Sequence, residues 1–325
     1  MSLLAVDLHG LTVHIACPDD DVRATIAARL AELPPAAAPE ADLTVTYAFS
    51  APAHVPPADA RVTYASPASR AYYAPREDAF YAIHEDGATM RCSGRDGAAE
   101  IAAATTAESR VWVLTRPLLT LALMELARAR GLQSLHAACL ARGGRGVIVT
   151  GPSGSGKSTI ALALLAAGYD YVSEDLIFLR SEGDGLDVCG FADELGLTGD
   201  AGELFPLLEG ASVPAPGWPK GRAGVHEVAP DARIVRTCAP TLVLLLDPQA
   251  SEVDEISADD ALLELLPSML MTDPDTCRRH VAALSALAGT ATCLRLPARP
   301  DLVATVDLVD SALSVSGPVG AEALR

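Results

Sequence analysis

A glycine-rich segment between an apolar strand and an apolar helix carries the clearest chemistry in this sequence. Residues 151–158 read Gly-Pro-Ser-Gly-Ser-Gly-Lys-Ser and fit the Gly-x-x-x-x-Gly-Lys-Ser pattern of a phosphate-binding loop. The run 146–150 predicts a buried strand before this segment, and the Ala- and Leu-rich run 159–165 predicts a helix after it. The alternative is a Gly/Ser-rich connector that matches by chance. The setting favours a loop that binds nucleotide phosphates.

Each part of the loop has a predicted task. Glycines allow positive φ angles and leave no Cβ in the way of a phosphate, while backbone N–H groups point at the phosphate oxygens. We expect Lys157 to reach the β and γ phosphates of ATP, and the Ser158 hydroxyl to ligate Mg²⁺. The predicted nucleotide-binding residues are Gly151, Ser153, Gly154, Ser155, Gly156, Lys157, Ser158 and Thr159.

Two adjacent carboxylates, Glu174 and Asp175, interrupt the strand-like run 169–179. Because desolvating a carboxylate is costly, the pair must lie at a strand end, in solvent or beside a cation. A strand adjoining the loop strand would bring both acids near the metal and the γ-phosphate. They are therefore candidates for holding magnesium and for accepting the proton of an attacking hydroxyl. A solvated turn or helix cap is the alternative.

Three further side chains are weaker candidates on spacing. His136 opens a predicted strand at 134–140 and could end near the phosphates, although a lone histidine there is more often a core residue. Lys220 and Arg222 lie in a Gly/Pro-rich segment that could close over the transferred phosphate, or they are ordinary surface charges.

The region from 131 to 179 resembles the catalytic domain of HPr kinase/phosphorylase, and more closely the HPr-kinase-like proteins encoded beside lasso-peptide and other modified-peptide pathways. The resemblance implies a fold related to phosphoenolpyruvate carboxykinase and ATP-dependent phosphorylation of a serine hydroxyl; hexamers are known in that family. The motifs that carry it are His136-Ala137, the strand 143–150, the loop 151–158 and the segment 168–175.

The resemblance also implies roles for single residues. Asp175 matches the second acid of the family, Glu174 takes the place of the first, which is usually an aspartate, and His136 lines the reacting phosphate. By this resemblance the catalytic set is His136, Lys157, Glu174 and Asp175, with Ser158 and Asp175 at the metal.

Two departures from the family pattern bear on the reaction. Thr159 stands where the bifunctional enzymes usually carry glutamate, and 221–227 is a shortened echo of the family signature Gly-Arg-Asn, an apolar run and Glu. They speak against the reverse reaction, phosphorolysis of a phosphoserine, and against HPr itself as the substrate.

Composition limits the partners and the compartment. The 325 residues are 50% hydrophobic and carry a net charge of −18, which disfavours nucleic acid as a partner. The longest apolar stretches fall short of a membrane span, and the first residues lack the basic start of a secretory signal. Seven scattered cysteines without a Cys-x-x-Cys pair favour reduced thiols in the cytoplasm.

The element pattern predicts an α/β protein of two domains. Residues 1–115 read as a smaller N-terminal α/β domain, and 116–325 as the P-loop catalytic domain of HPr kinase/PEP carboxykinase type, opening with a helix at 117–130. The expected elements of the first part are strands at 3–6, 11–16, 43–47, 62–64, 79–84 and 88–92, and a helix at 22–33. Those of the second are strands at 134–140, 147–150, 241–246 and 293–296, and helices at 157–167, 258–271, 274–287 and 300–314.

The leading hypothesis is an ATP- and magnesium-dependent kinase that phosphorylates a serine or similar hydroxyl on a small protein or peptide. The first alternative is an ATPase that drives conformational work, because the apolar run 242–246 ends in Asp247 as a Walker B strand does. The second is a regulatory module that binds nucleotide without catalysis.

Overall fold

The computed structural model describes residues 3–104, 108–183, 185–197, 213–214, 221–269 and 271–315. The chain divides into two compact units. Unit 1 comprises Met1–Ser134 and Met269–His280, and unit 2 comprises Leu135–Ser268 and Val281–Arg325. The division lies after the long helix that the sequence analysis assigned to the second domain, so this helix belongs to unit 1.

Unit 1 is built on an eight-stranded mixed sheet. Its strands are β1 (Leu3–Leu8), β2 (Leu11–Ala16), β3 (Leu43–Phe49), β4 (Arg61–Ala65), β5 (Ser69–Ala74), β6 (Ala79–His84), β7 (Thr89–Ser93) and β8 (Ala98–Ala103). They lie in the order β1-β2-β3-β8-β7-β6-β5-β4. The β2–β3 and β3–β8 pairs are parallel, and the others are antiparallel.

The helices of unit 1 are α1 (Asp20–Arg29), α2 (Glu108–Val113) and α3 (Leu119–Ala129). A π-helical turn at Leu114–Leu118 joins α2 to α3, and Pro117 lies inside it. The predicted start of a helix at Pro117 is therefore wrong. A π turn accommodates a residue that lacks an N–H, so the helical segment begins earlier. Its predicted end is confirmed, since Gly131 follows with a left-handed φ of 94°.

Unit 2 contains the strands that surround the glycine-rich loop. They are β10 (Ala138–Arg142), β11 (Arg145–Thr150), β12 (Asp170–Ser173), β13 (Ile177–Glu182), β14 (Gly185–Gly190), β15 (Leu195–Leu197), β16 (Val213–Pro214), β17 (Gly221–Ala223), β18 (Thr237–Asp247), β19 (Asp254–Glu255) and β20 (Thr292–Pro297); β9 (Leu132–Leu135) precedes them. β12, β10, β11, β18, β20 and β19 lie side by side, with β11, β18 and β20 parallel. β15, β17 and β16 form a small separate antiparallel sheet.

The helices that follow are α4 (Lys157–Ala166), α5 (Val225–Val228), α6 (Ala258–Leu265), α7 (Pro274–Thr290) and α8 (Leu302–Val315). α4 and α8 pack against each other, and α4 also packs on β10 and β11. Ile160 and Leu164 of α4 enter the apolar core of unit 2. Because β11 and β18 are buried on both faces, they read as unbroken apolar runs. In the described ranges, every helix is too short or too polar to cross a membrane.

Two predicted strands are each broken in two. The run 134–140 forms β9 and β10, with His136 and Ala137 between them, and the run 169–179 forms β12 and β13, with Glu174 and Asp175 in the break. The breaks take these polar side chains out of the apolar ladders. The predictions also missed β5 and β8. The Ala-rich sequence of β8 has little β propensity, and the neighbouring strands order it.

Candidate functional site

The glycine-rich loop runs from the end of β11 to the start of α4, as the motif requires. Its glycines Gly151, Gly154 and Gly156 have φ angles of 145°, 80° and 111°. A Cβ added at Gly151 would lie 2.6 Å from the carbonyl oxygen of Leu246, whereas one at Gly154 would meet no atom within 4 Å. The loop thus packs against β18 at Gly151, and the space around Gly154 is open. This cradle fits a phosphate group.

The Lys157 side chain folds back onto the start of the loop. Its side chain is buried, and its ammonium donates hydrogen bonds to the carbonyl oxygens of Gly151, at 2.8 Å, and of Pro152, at 3.1 Å. The Ser155 hydroxyl donates to the same Pro152 carbonyl at 2.8 Å. Ser153 lies exposed on the rim. The positive charge of Lys157 is therefore held at the mouth of the amide cradle.

The Ser158 hydroxyl in the first turn of α4 donates a hydrogen bond to Oε1 of Glu174. The Gly196 backbone N–H in β15 donates to Oε2 of the same carboxylate at 3.3 Å. Glu174 is only 3% exposed, so a buried acid lies directly beside the loop. The next residue of α4, Thr159, is half-buried. A hydroxyl and a carboxylate are both hard oxygen donors, which fits Mg²⁺.

Asp175, the other acid, pairs with His136 instead. The Nδ1 atom of His136 lies 2.9 Å from the backbone oxygen of Asp175 and 3.2 Å from its Oδ1. Since a carbonyl oxygen only accepts, Nδ1 carries the proton in this arrangement. Both side chains are about half exposed. The Thr150 hydroxyl at the end of β11 donates to the His136 carbonyl at 3.2 Å, which fixes this pair close to the start of the loop.

The metal-binding residues named from the sequence are thus divided between two contacts, Ser158 with Glu174 and Asp175 with His136. Among the described residues, no group of three or more His, Cys, Asp or Glu side chains could hold a metal ion. Magnesium is commonly bound by one or two protein oxygens together with substrate phosphates and water. The Ser158–Glu174 pair meets that requirement.

A contact that the sequence did not predict comes from the small sheet of β15, β16 and β17. Gly196, the amide donor to Glu174, pairs in register with Arg222 of β17. The Arg222 guanidinium donates to the carbonyl oxygen of Glu194 at 3.2 Å, while Lys220 lies outside the described residues. A backbone amide leaves no trace in the sequence, so Gly196 could not have been found there.

Two neighbouring groups have other tasks. The Tyr171 hydroxyl donates to the backbone oxygen of Asp193 at 2.9 Å. Burial, and to a lesser extent the Glu174 carboxylate, raises the pKa of Tyr171, which keeps the phenol neutral.

Asp247 ends β18, and its Oδ1 accepts a hydrogen bond from the Gln249 backbone N–H at 2.8 Å. The Asp247 carboxylate therefore shapes a turn.

Among solved structures, the chain is similar over part of its length to the Hpr(Ser) kinase/phosphatase from Coxiella burnetii. The match has 18% sequence identity and a TM-score of 0.33, and it covers 57% of this chain and 99% of the other. No protein-family model matches the chain. No curated protein matches it either. A similarity at this TM-score adds nothing about the fold or the activity of this chain.

Proposed function

We propose that the protein is an ATP- and magnesium-dependent kinase that phosphorylates a serine or similar hydroxyl on a peptide or small protein. One observation carries the proposal. The hydrogen bond from Ser158 to Glu174 joins the first turn after the loop to the strand break that bears both acids. A buried carboxylate is thereby held beside the loop that carries the anion-binding amides and Lys157, which supports a site for phosphoryl transfer.

The loop amides and Lys157 bind the triphosphate in this proposal, and the preset loop orients it. Ser158 and Glu174 hold the metal. Magnesium supplies charge neutralisation on the phosphates. The Glu174 carboxylate is buried and both of its oxygens accept hydrogen bonds, so an alcohol in solvent does not reach it. Glu174 is therefore assigned to the metal and not to the proton.

Asp175 is assigned as the proton acceptor. Its carboxylate is half exposed, and the Nδ1–H of His136 holds it in place at 3.2 Å. The acceptor oxygen forms a bond to the γ-phosphorus while the bond from that phosphorus to the β–γ bridging oxygen breaks. ADP leaves with the electron pair of that bond, and the hydroxyl proton passes to Asp175. Such a transfer adds no atom from water.

A hydrolytic function is the main competitor, because β18 lies parallel to β11 and ends in Asp247. That carboxylate accepts the Gln249 amide at 2.8 Å and lies 4.0 Å from Nε of Arg295. The first contact shapes a turn and the second joins β18 to β20, which favours the acids at 174 and 175 as the reacting pair. A module that binds nucleotide without reacting is the second competitor.

One assay separates the three functions. The protein is incubated with γ-labelled ATP and magnesium, with a degenerate peptide pool centred on serine and with a matched pool centred on alanine. Label on the serine pool alone supports the kinase. Free phosphate without labelled peptide in either pool supports the ATPase, and nucleotide binding with neither product supports the silent module. Lys157→Ala serves as the control, since it removes the ammonium that binds the phosphates.

A further inference from the structure

The segment 298–299 of unit 2 is hydrogen-bonded to the end of β18 and to the glycine-rich loop. It follows β20, where the Ala298 N–H donates to the Asp247 carbonyl at 3.1 Å and the Arg299 N–H donates to the Ser155 carbonyl at 2.9 Å. A Cβ placed on Gly156 would lie 3.6 Å from the Arg299 Cα and 4.0 Å from its Cγ. The Arg299 backbone and the start of its side chain therefore lie against the loop.

The backbone of Arg299 is held in an unfavourable conformation. Its φ is 55°, in the left-handed region that glycine and asparagine adopt more readily than other residues. A long cationic side chain at such a position indicates that the side chain has a task, because a smaller residue would suit the backbone better. The backbone conformation sets the direction of the Cα–Cβ bond, and Cγ lies close to the loop at Gly156.

The Arg299 side chain is exposed, and in the described part of the chain it forms no ion pair or hydrogen bond. The protein carries a net charge of −18, and several other arginines of unit 2 pair with carboxylates, as Arg233 does with Asp170 and Arg180 with Asp187. Arginine is well suited to bind phosphate through two N–H groups at once.

We propose that Arg299 is a further nucleotide-binding residue, whose guanidinium binds the phosphates of the nucleotide held in the loop. The inference rests on the proposed function, because it needs the loop to bind a nucleotide. It adds a second cation to the one that Lys157 supplies. No sequence motif marks this residue, since Arg299 lies about 140 residues beyond the loop and only the parallel β11–β18–β20 arrangement brings the two together.

The test measures binding by calorimetry with ATP, tripolyphosphate and adenosine as separate probes. Arg299→Asn removes the charge and retains a residue that tolerates the left-handed backbone. We expect affinity for ATP and for tripolyphosphate to fall by about tenfold, adenosine binding to stay unchanged, and Tm to stay equal or rise. Arg299→Lys should recover part of the loss. The matched control Arg233→Asn also removes one positive charge from unit 2 and should bind both phosphate probes as the wild type does.

The outcomes separate this inference from the proposed function. If the wild type binds ATP through Lys157 and Arg299→Asn binds tripolyphosphate equally well, the role of Arg299 is overturned and the proposed function stands. The role of Arg299 is also overturned if Arg299→Asn binds adenosine more weakly, or binds ATP more weakly but tripolyphosphate normally. Either result would indicate a contact between Arg299 and the base. If the wild type binds neither ATP nor tripolyphosphate, both proposals fall.

Discussion

Unit 1 and unit 2 each bury a glutamate, Glu125 and Glu174, and hold its carboxylate in different ways. Glu125 accepts a hydrogen bond from the guanidinium of Arg128, which is itself fully buried. Glu174 accepts from the Ser158 hydroxyl and the Gly196 amide. The partner of Glu125 lies one helical turn away on the same helix, whereas one partner of Glu174 belongs to the anion-binding loop.

Under the proposed function, the difference separates a structural carboxylate from one placed for a reaction. Burial raises the pKa of Glu125 and the charge of Arg128 partly offsets this, so the pair balances its own charge inside unit 1. Two groups that donate hydrogen bonds to Glu174 are neutral, the Ser158 hydroxyl in the first turn after the loop and the Gly196 amide in β15. A buried acid held in this way is prepared for a cation that arrives with the substrate. The comparison predicts opposite effects of the same substitution at the two sites.

Glu174→Gln gives the largest expected effect on activity. The amide keeps the shape of the side chain but loses the charge that would hold the metal, so phosphoryl transfer to the serine peptide pool should fall by about 10²- to 10³-fold. The melting temperature should change little or rise, because an amide costs less to bury than a carboxylate. A large drop in Tm with full activity in the folded fraction would place Glu174 among the structural residues.

Glu125→Gln should do the reverse. The fully buried Arg128 loses its charged partner, and we expect about 3–5 kcal/mol of stability to be lost in denaturant unfolding. Transfer by the folded protein should be unchanged. The double variant Glu125→Leu, Arg128→Met removes both charges together and should lose less than the single variant. A stable Glu125→Gln protein with impaired transfer would contradict the division made here.

His280 is buried in unit 1 and makes the stability of the protein depend on pH. Burial, and then the charge of Arg128, lowers the pKa of His280 to about 4. The unfolded chain binds a proton near pH 6.5, and the folded chain does not until about pH 4. This contribution to stability is therefore full above pH 6.5 and falls as pH drops from about 6.5 to about 4, by about 3 kcal/mol in total.

The check compares urea unfolding of the wild type with that of His280→Phe across this range of pH. As pH falls, the free energy of unfolding of the wild type should decrease more than that of His280→Phe. Parallel curves at every pH would show that His280 titrates alike in both states.

Ser158→Ala should give the smallest effect. It removes the hydroxyl ligand of the proposed metal site and one hydrogen bond to the Glu174 carboxylate but leaves the charge in place, so transfer should fall by about tenfold, less than for Glu174→Gln. Thr at the same position keeps a hydroxyl and should restore most of the rate. Equal losses in Ser158→Ala and Ser158→Thr would assign the effect to altered packing at the start of α4.

Much of unit 2 could be predicted from the sequence because local patterns and tertiary demands agree there. The loop, β11 and the start of α4 at Lys157 lie where the apolar periodicity and the glycines put them. Local patterns failed where a contact far along the chain decides the structure. β8 is Ala-rich and is ordered by β3 and β7, and the small sheet that delivers the Gly196 amide to Glu174 has only short strands.

The acid pair shows the same limit at the site. Residues 174 and 175 could be recognised as the candidate carboxylates, but their separate partners, Ser158 and His136, follow from a break in the strand that the pattern did not reveal. Side chains next to each other in sequence point to different surroundings at such a break. Their division into a metal site and a proton acceptor could be proposed only from the geometry.

The central claim is that the loop and Glu174 form one magnesium–nucleotide site, and calorimetric titration with ATP tests it most directly. Affinity is measured with magnesium and with EDTA, for the wild type and for Glu174→Gln. We predict that magnesium tightens ATP binding by about tenfold or more in the wild type and that this gain is lost in Glu174→Gln, while binding in EDTA stays equal. The same gain from magnesium in both proteins would contradict the claim.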